Sequence, residues 1–245
     1  MPPRALKPVG VVLADKPAGP SSFRLVAQLR SRTRARTGHA GTLDPFATGL
    51  LVLLSGAATR LAPCFVGLDK RYVTDVDLTA TTSTGDPEGE VVEAHSPPST
   101  AELEASLAAL RGEVELPIPA ASAVKIGGER AYKLARRGVA VEMPRRRSQV
   151  YALDVIAYTG SAVTLELRVS SGTYIRSIAE ALGGHCTALR RTTVGPFRVE
   201  EADFERLLPP SEALARLSVD ALARVEPAVR ESVVALEAPP FEAPA

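Results

Sequence analysis

One carboxylate stands almost alone in the segment Gly38–Gly49, which reads GHAGTLDPFATG. Asp44 lies there between Leu43 and Pro45, and glycines on both sides loosen the backbone around it. A carboxylate can act as a nucleophile or as a proton acceptor, so Asp44 is the leading candidate for chemistry. The alternative is that an aspartate before a proline starts a turn and accepts backbone hydrogen bonds. The residues alone leave both interpretations open.

The composition narrows the class of protein. The chain has 245 residues, of which 45% are hydrophobic, enough to fill a core. It lacks both an apolar run long enough to cross a membrane and the apolar stretch of a signal peptide at its start, so we expect a cytoplasmic protein without membrane association. Two cysteines without a C-x-x-C spacing and three scattered histidines predict neither a disulfide framework nor a metal site.

Charge is divided unevenly along the chain. From Glu200 onward there are 10 acidic and 4 basic residues, a net charge of −6, whereas the residues before Glu200 carry +7. Such a basic body can neutralise phosphates and favours an RNA or DNA partner, although any single arginine cluster can equally be a solvated surface. The clusters are Arg30, Arg32, Arg34 and Arg36, then Arg145, Arg146 and Arg147, then Arg190 and Arg191.

Strand and helix patterns are intermixed without regular βαβ order. Helical spacing begins after Ser21, and alternation places Tyr72 on the apolar side of a strand. A later strand of a predicted hairpin puts four residues on one face: Tyr151, Leu153, Val155 and Ala157. We therefore expect an α+β fold with a mixed, mostly antiparallel sheet flanked by helices. Residues 1–199 form the catalytic domain in this interpretation, followed by an acidic extension, 200–245, with a disordered end at 238–245.

Seven segments stand out as motifs: DKPAGPSS at Asp15–Ser22, GHAGTLDPFATG at Gly38–Gly49, DKRY at Asp69–Tyr72, TSTGDPEG at Thr82–Gly89, PIPAASAVKIGGERAYKLARRG from Pro117, SSGTYIRSIAEALG from Ser170 and LRRTTVGPF from Leu189. In this order they resemble the TruB-type tRNA pseudouridine synthases. The resemblance covers residues 9 to 198 and implies the pseudouridine synthase fold. Members of the family usually continue into a small C-terminal PUA-type domain, for which the residues after 199 are too few, so we expect at most a remnant of it.

The resemblance also implies site residues. Asp44 corresponds to the essential aspartate, Arg176 to the arginine that pairs with it, and Tyr72 to the active-site tyrosine, which we expect to pack on the uracil and accept its C5 proton. The substrate-binding residues that we expect are Lys16, His39, Asp86, Tyr174, Arg34 and Arg36. Without the resemblance, each of three residues has an ordinary alternative: Tyr72 in the core, His39 on the surface, and Arg176 in an exposed pair with Glu180.

The family's reaction converts uridine to pseudouridine at position 55 in the T loop of tRNA. The bond between N1 and C1′ breaks, the base turns, and C5 takes the place of N1 in a base that has been flipped out of its stack. The resemblance implies that tRNA is the partner and that no cofactor is needed. We expect a monomer, although the sequence itself does not determine the oligomeric state. An aspartate could attack C6, attack C1′ or assist a glycal route, and the sequence leaves these three open.

Two other functions fit the residues alone. A glycoside hydrolase would pair Asp44 with Asp86 or Glu88, although a chain with no Trp and 4% aromatic residues is poor in the side chains that usually line sugar clefts. A non-enzymatic RNA-binding or RNA-folding protein would need only the basic body. Release of tritium from C5 of the target uridine distinguishes the enzyme from the RNA-binding protein.

Overall fold

The computed structural model describes residues 8–137, 139 and 141–237. Its strands are β1 (Gly10–Lys16), β2 (Thr37–His39), β3 (Thr48–Ser55), β4 (Lys70–Asp77), β5 (Ala80–Thr82), β6 (Val91–Ala94), β7 (Gly112–Pro117), β8 (Lys125–Ile126), β9 (Glu129–Arg130), β10 (Arg145–Tyr158), β11 (Ala162–Val169), β12 (His185–Val194) and β13 (Phe197–Arg198). Its α-helices are α1 (Ser22–Thr33), α2 (Ala62–Val66), α3 (Thr100–Ala109), α4 (Ala131–Arg136), α5 (Ile175–Ala181), α6 (Pro210–Ala215), α7 (Val219–Leu222) and α8 (Pro227–Val234). The chain divides into two compact units: unit 1 holds residues 1–70 and 191–245, and unit 2 holds residues 71–190.

Strand β3 is the central element of unit 1. It pairs antiparallel with β1 along its whole length and also with β2. The strand is an almost unbroken apolar run, as expected for a strand buried on both faces. Leu50, Val52 and Leu54 pack into one hydrophobic cluster, whereas Leu51 and Leu53 pack into another. The twofold alternation of side chains thus lets one strand serve two layers of core.

Helix α1 covers one of these layers. Its Leu25, Val26 and Leu29 are buried together with Leu51 and Leu53 of β3, which confirms the helical spacing predicted after Ser21. The helix ends at Arg34, which adopts a left-handed conformation at φ 54° and donates its amide to the carbonyl of Arg30. This ending leads the chain directly into β2.

The described residues after Glu200 belong to the core of unit 1. Leu208 exchanges two backbone hydrogen bonds with Val11 of β1, at 2.7 and 2.8 Å. Leu214, Leu217 and Val233 lie in the same hydrophobic cluster as β3. The segment 200–237 is therefore acidic in sequence but packed through its apolar side chains. The predicted disordered end, 238–245, lies outside the described residues, and the domain boundary at residue 199 stays a prediction.

Unit 2 is built mainly from antiparallel strands, in the order β4-β11-β10-β7. The long strand β10 pairs antiparallel with β11 through the predicted hairpin and with β7 through its first half. Short antiparallel pairs join β5 to β6 and β8 to β9. Helices α3, α4 and α5 belong to the same unit. These pairings confirm the expected α+β class with a mostly antiparallel sheet.

The predicted inward face of β10 is wrong in part. Leu153 is buried as expected, but Tyr151 and Val155 are each 46% exposed. The pairing with β11 shifts between Val150 and Ala152, and again after Val155. The first shift leaves Tyr151 in a bulge and off the face of Leu153, so a pattern read at a constant period of two fails there. Val155 keeps the register of Leu153, so the shifts do not account for its exposure. The Tyr151 ring is instead covered by the guanidinium of Arg168, 4.8 Å from its centroid.

Candidate functional site

Asp44 lies in the connection between β2 and β3 of unit 1. The carbonyl of Asp44 accepts a hydrogen bond from the amide of Ala47 at 3.2 Å, so the turn considered from the sequence is present. That turn uses the main chain, and the Asp44 residue remains partly exposed. A further bond, from the Gly19 amide to the Pro45 carbonyl at 2.9 Å, ties the loop to the turn after β1. Turn formation and a chemical role are therefore compatible.

Lys16 holds this loop from inside the protein. It has 0% exposure, and its ammonium group donates to the carbonyls of Pro17, Pro45 and Ala47 at 2.9, 3.0 and 2.7 Å. An ammonium group has three N–H donors, and a buried cation needs such partners to offset the loss of water. These contacts are those of a residue that positions the Asp44 loop. The predicted contact between Lys16 and RNA stays a prediction.

Arg191 is a second buried cation beside the loop, and the sequence interpretation missed its role. Its guanidinium donates to the carbonyls of Leu50, Gly41 and Thr42 at 2.7, 3.0 and 3.4 Å. Because Arg191 is 1% exposed, its predicted membership in a phosphate-binding cluster is wrong. Gly49 permits this arrangement, since a Cβ there would lie 2.2 Å from the Arg191 carbonyl oxygen. The alternation along β12, which buries Leu189 and Arg191, was the available signal.

Ser22 ties helix α1 to the residue that precedes Asp44. Its hydroxyl accepts from the Leu43 amide and donates to the Leu43 carbonyl, both at 2.9 Å. Ser21 occupies the N-cap position of α1 without a side-chain capping bond. The Ser22 side chain therefore binds the loop instead of capping the helix, and it fixes the backbone just before the candidate carboxylate.

His39 ends β2 and lies half-buried near the same loop. Its ring packs edge-on against Phe23, with centroids 5.2 Å apart and planes at 75°. Burial, with a further contribution from the positive charge of Arg191, lowers the pKa of His39 below its ordinary value. Among the described residues its Nδ1 has no hydrogen-bond partner. His39 is thus a neutral aromatic group at pH 7 rather than a cation.

Lys70 is a third buried cation of unit 1. Its ammonium donates to the carbonyls of Val66 and Leu68 at 2.6 and 2.5 Å. Burial first, and Arg191 second, lower the pKa of Lys70 from 10.5 to about 7. The sequence showed this residue only as part of the DKRY motif.

The arginines before His39 divide into two kinds. Arg32 donates to the carbonyl of Phe204, lies 2.8 Å from the Glu205 carboxylate and covers the Phe204 ring. Arg34 and Arg36 are exposed, and within the described part of the chain neither side chain forms an ion pair. These two remain available for the phosphate contacts predicted for them.

Arg176 lies on α5 in unit 2 and is 2% exposed. Its guanidinium donates to the carbonyls of Thr84 and Ala121 at 2.6 and 3.0 Å and lies 3.3 Å from the carboxylate of Asp86. The alternative of an exposed pair with Glu180 is therefore wrong, because the arginine is buried and shared among several acceptors.

Asp86 is the carboxylate of a loop that wraps around Arg176. It accepts hydrogen bonds from the Glu88 amide at 3.0 Å and from the Thr84 hydroxyl. Gly85, at φ 70°, leaves room for the neighbouring helix, since a Cβ there would lie 2.5 Å from the Glu180 carboxylate. Burial raises the pKa of Glu180, opposed by Arg176 and reinforced by Asp86. Asp86 orients Arg176, and its predicted contact with RNA stays a prediction.

Two tyrosines complete the candidate residues of unit 2. Tyr72 is buried on the inward side of β4, as predicted from alternation. Among the described residues its hydroxyl has no hydrogen-bond partner, so the picture of a core tyrosine with a satisfied hydroxyl lacks support. Tyr174 is the partly exposed N-cap residue of α5, two positions before Arg176. Unit 2 thus contains Tyr72, Tyr174 and the Arg176–Asp86 pair, and unit 1 contains Lys16, His39 and Asp44.

The described residues contain no group of three or more His, Cys, Asp or Glu side chains able to hold a metal ion. No helix among them combines the length and apolar character needed to cross a bilayer.

Comparison with known proteins gives consistent likenesses. The family pattern described as TruB family pseudouridylate synthase (N-terminal domain) matches residues 29–175. The tRNA pseudouridine synthase B of Leifsonia xyli is 45% identical in an alignment of 221 positions that covers 84% of this chain and 73% of that protein. The protein of the same name from Xanthomonas oryzae is 39% identical in an alignment of 250 positions that covers 90% of this chain and 81% of that protein.

Solved structures agree with the fold. A chain in the crystal structure of a Cbf5-Nop10-Gar1 complex has a TM-score of 0.59 and 28% identity, covering 77% of this chain and 50% of that chain. A chain in the structure of an H/ACA RNP bound to a substrate RNA containing 2′-deoxyuridine has a TM-score of 0.56 and 26% identity. This chain spans about half the length of both. The predicted pseudouridine synthase fold is confirmed, and the chain belongs to the TruB family of pseudouridylate synthases.

Proposed function

We propose that this chain isomerises uridine to pseudouridine at position 55 in the T loop of tRNA, with Asp44 as the catalytic carboxylate and without a cofactor. Family membership and the shared name of the relatives, tRNA pseudouridine synthase B, support the reaction and the substrate class. The role of Asp44 rests on the structure of its loop. Two buried cations, Lys16 and Arg191, hold the backbone of this loop, and Asp44 is partly exposed on it.

The reaction needs a carboxylate whose orientation is fixed. Uridine and pseudouridine are isomers, so the bond from N1 to C1′ is exchanged for one from C5 to C1′, and the proton at C5 is lost while N1 gains one. Asp44 would act on C6 or C1′, or assist removal of a ribose proton, in the same reaction. Because Lys16 and Arg191 fix the loop before substrate arrives, little reorganisation is needed at the moment of reaction.

Unit 2 supplies the remaining catalytic groups in this proposal. Tyr72 packs on the uracil and accepts the C5 proton, a role supported by a hydroxyl that the described residues leave without a partner. Arg176 keeps the role that the resemblance implies, as the cation that favours the ionised form of the catalytic carboxylate. Asp86 fixes the orientation of Arg176 through the 3.3 Å contact. Tyr174 adds an aromatic ring to the substrate side of α5.

Recognition of the RNA rests on shape and charge. A uridine in a strained loop costs only a few kcal/mol to extrude, which favours the T loop as the place of reaction. The neutral ring of His39 fills the space left by the extruded base, and Arg34 and Arg36 bind phosphates. We further propose that the protein acts in the cytoplasm as a monomer.

The test uses a T-arm RNA with tritium at C5 of a single uridine. Wild-type protein should release tritium when the label is at position 55 and not when it is at another T-loop uridine. Asp44→Asn serves as the inactive control. Tight binding of the RNA without release by the wild type would contradict the proposal and favour an RNA-folding protein.

A further inference from the structure

We propose that Phe23 and His39 form an aromatic platform on which an unpaired nucleobase of the RNA substrate stacks beside the Asp44 loop. This inference rests on the proposed function and adds a binding residue, Phe23, to it. The occupant is a base next to the extruded uridine rather than the uridine itself.

The exposure of Phe23 is the first observation. Its side chain is 69% exposed, whereas Phe65 and Phe197 in the same unit are completely buried. An exposed phenylalanine is unfavourable in water and makes sense where a ligand covers it. Aromatic residues are only 4% of the chain, so this exposed ring is not one of many.

The geometry of the pair is the second observation. Phe23 meets His39 edge to face at 5.2 Å, an arrangement that holds both rings while leaving most of Phe23 open to solvent. His39 is neutral at pH 7, since burial lowers its pKa. Two neutral rings side by side suit the flat face of a nucleobase better than they suit a phosphate.

The platform is fixed to the catalytic loop. Phe23 directly follows Ser22, whose hydroxyl makes two hydrogen bonds of 2.9 Å to Leu43. Leu43 directly precedes Asp44. A base on Phe23 would therefore be held at a defined position relative to the carboxylate, which is how a stacking contact helps to orient a substrate.

The charge around the platform favours RNA over an apolar protein partner. Arg24 follows Phe23 on the same helix and is exposed, and exposed Arg34 and Arg36 follow the end of that helix. A second copy of this chain would bring the same positive charges against these. A nucleobase carried on a phosphate backbone matches both the apolar ring and the exposed Arg24 next to it in the chain.

The experiment compares four proteins: wild type, Phe23→Ala, Phe23→Leu and Phe23→Tyr. Initial rates of tritium release are measured under multiple-turnover conditions over a range of T-arm RNA concentrations. The proposal predicts that both Phe23→Ala and Phe23→Leu raise KM about tenfold, while Phe23→Tyr stays within about twofold of the wild type. Val219→Ala removes another exposed apolar side chain of unit 1, 81% exposed, and should leave KM unchanged.

Binding is measured separately with a T-arm RNA that carries 2-aminopurine next to position 55. Quenching of its fluorescence should be strong with wild type and with Asp44→Asn, and should be lost with Phe23→Ala. An unchanged KM and unchanged quenching in Phe23→Ala would overturn the platform. A shift of the wild type from dimer to monomer in Phe23→Ala, with RNA binding unchanged, would assign the surface to a second copy instead. Quenching without tritium release by the wild type would contradict the proposed function and leave the stacking contact supported.

Discussion

Buried and exposed cations have different roles in unit 1, although the sequence does not distinguish a buried Lys or Arg from an exposed one. Lys16 and Arg191 have almost no exposed surface and donate to the carbonyls of the Asp44 loop. Arg34 and Arg36 follow the end of α1 and are exposed. The first pair acts on the protein's own backbone, whereas the second is free to meet phosphates. Positive charge near a candidate site is therefore evidence for RNA binding only after burial is known.

The same distinction applies in unit 2. Arg176 is buried like Arg191, but its partners include a carboxylate, that of Asp86, besides two carbonyls. Carbonyl oxygens carry partial charge, and a carboxylate carries a full one, so loss of Asp86 leaves a buried charge poorly compensated. Substitutions at the buried cations should lower stability and rate, whereas those at the exposed ones should alter salt dependence.

Asp86→Asn should have the largest effect on stability. It removes the charge that compensates Arg176 in a buried pair, and we expect the free energy of unfolding to fall by about 3 kcal/mol. The measurement is urea unfolding followed by circular dichroism. Glu88→Gln, an exposed carboxylate of the same loop, is the matched control and should change stability by less than about 0.5 kcal/mol. Equal stabilities for the two variants would contradict the role assigned to Asp86.

Arg191→Met should have the second largest effect on stability. The apolar side chain fills a similar volume but leaves the carbonyls of Gly41 and Thr42 in the loop, and that of Leu50 on β3, without their donor, at an expected cost of about 2 kcal/mol. The rate at saturating RNA should fall about 100-fold, since displacement of the loop moves Asp44. Arg191→Lys should recover part of the stability and less of the rate, because a lysine cannot reproduce the planar fork. A variant that lost stability but kept the full rate would show that Arg191 does not position the loop.

Lys70 predicts a dependence of stability on pH. Its pKa is about 7 in the folded protein against an ordinary 10.5, so between these values the unfolded chain holds a proton that the folded chain lacks. The free energy of unfolding should therefore rise with pH across this window, by about 1 to 2 kcal/mol between pH 7 and 9. Lys70→Met should remove that increment, which urea unfolding at both pH values measures. Identical pH dependence in the two proteins would contradict the lowered pKa.

Arg34→Ala combined with Arg36→Ala should change stability least. We expect RNA binding to weaken and the slope of log affinity against log salt to fall by about 1.5, as two phosphate contacts are lost. Fluorescence titration at several salt concentrations measures the slope. Arg198→Ala with Arg206→Ala removes the same charge from exposed positions paired with glutamates, and should leave the slope unchanged. Equal slopes for both double variants would exclude Arg34 and Arg36 from phosphate contact.

Helices and strands were predicted correctly where a single periodicity of apolar residues held along the whole element. Helix α1 follows helical spacing, and Tyr72 follows alternation, so both were predicted correctly. The face of β10 was predicted only in part, because a bulge at Tyr151 interrupts the alternation of the strand. The family motifs identified Asp44, Tyr72 and Arg176 as candidates.

Contacts between side chains and residues far away in the chain could not be predicted from the sequence. Arg191 reaches carbonyls about 140 to 150 positions earlier, and neighbouring Arg190 made the two look like one basic cluster. Asp86 and Arg176 are 90 positions apart, and their pairing depends on the tertiary fold. Such long-range contacts leave no local period, so they become visible only in the structure.

The rate of tritium release by Asp44→Asn at saturating T-arm RNA tests the central claim most directly. Asp15→Asn, which changes an exposed carboxylate on β1 of the same unit, is the control. If the Asp44 carboxylate drives the isomerisation, its amide variant should bind RNA like the wild type and release tritium at least about 1000-fold more slowly, while Asp15→Asn keeps the normal rate. Release by Asp44→Asn at the wild-type rate would contradict the claim.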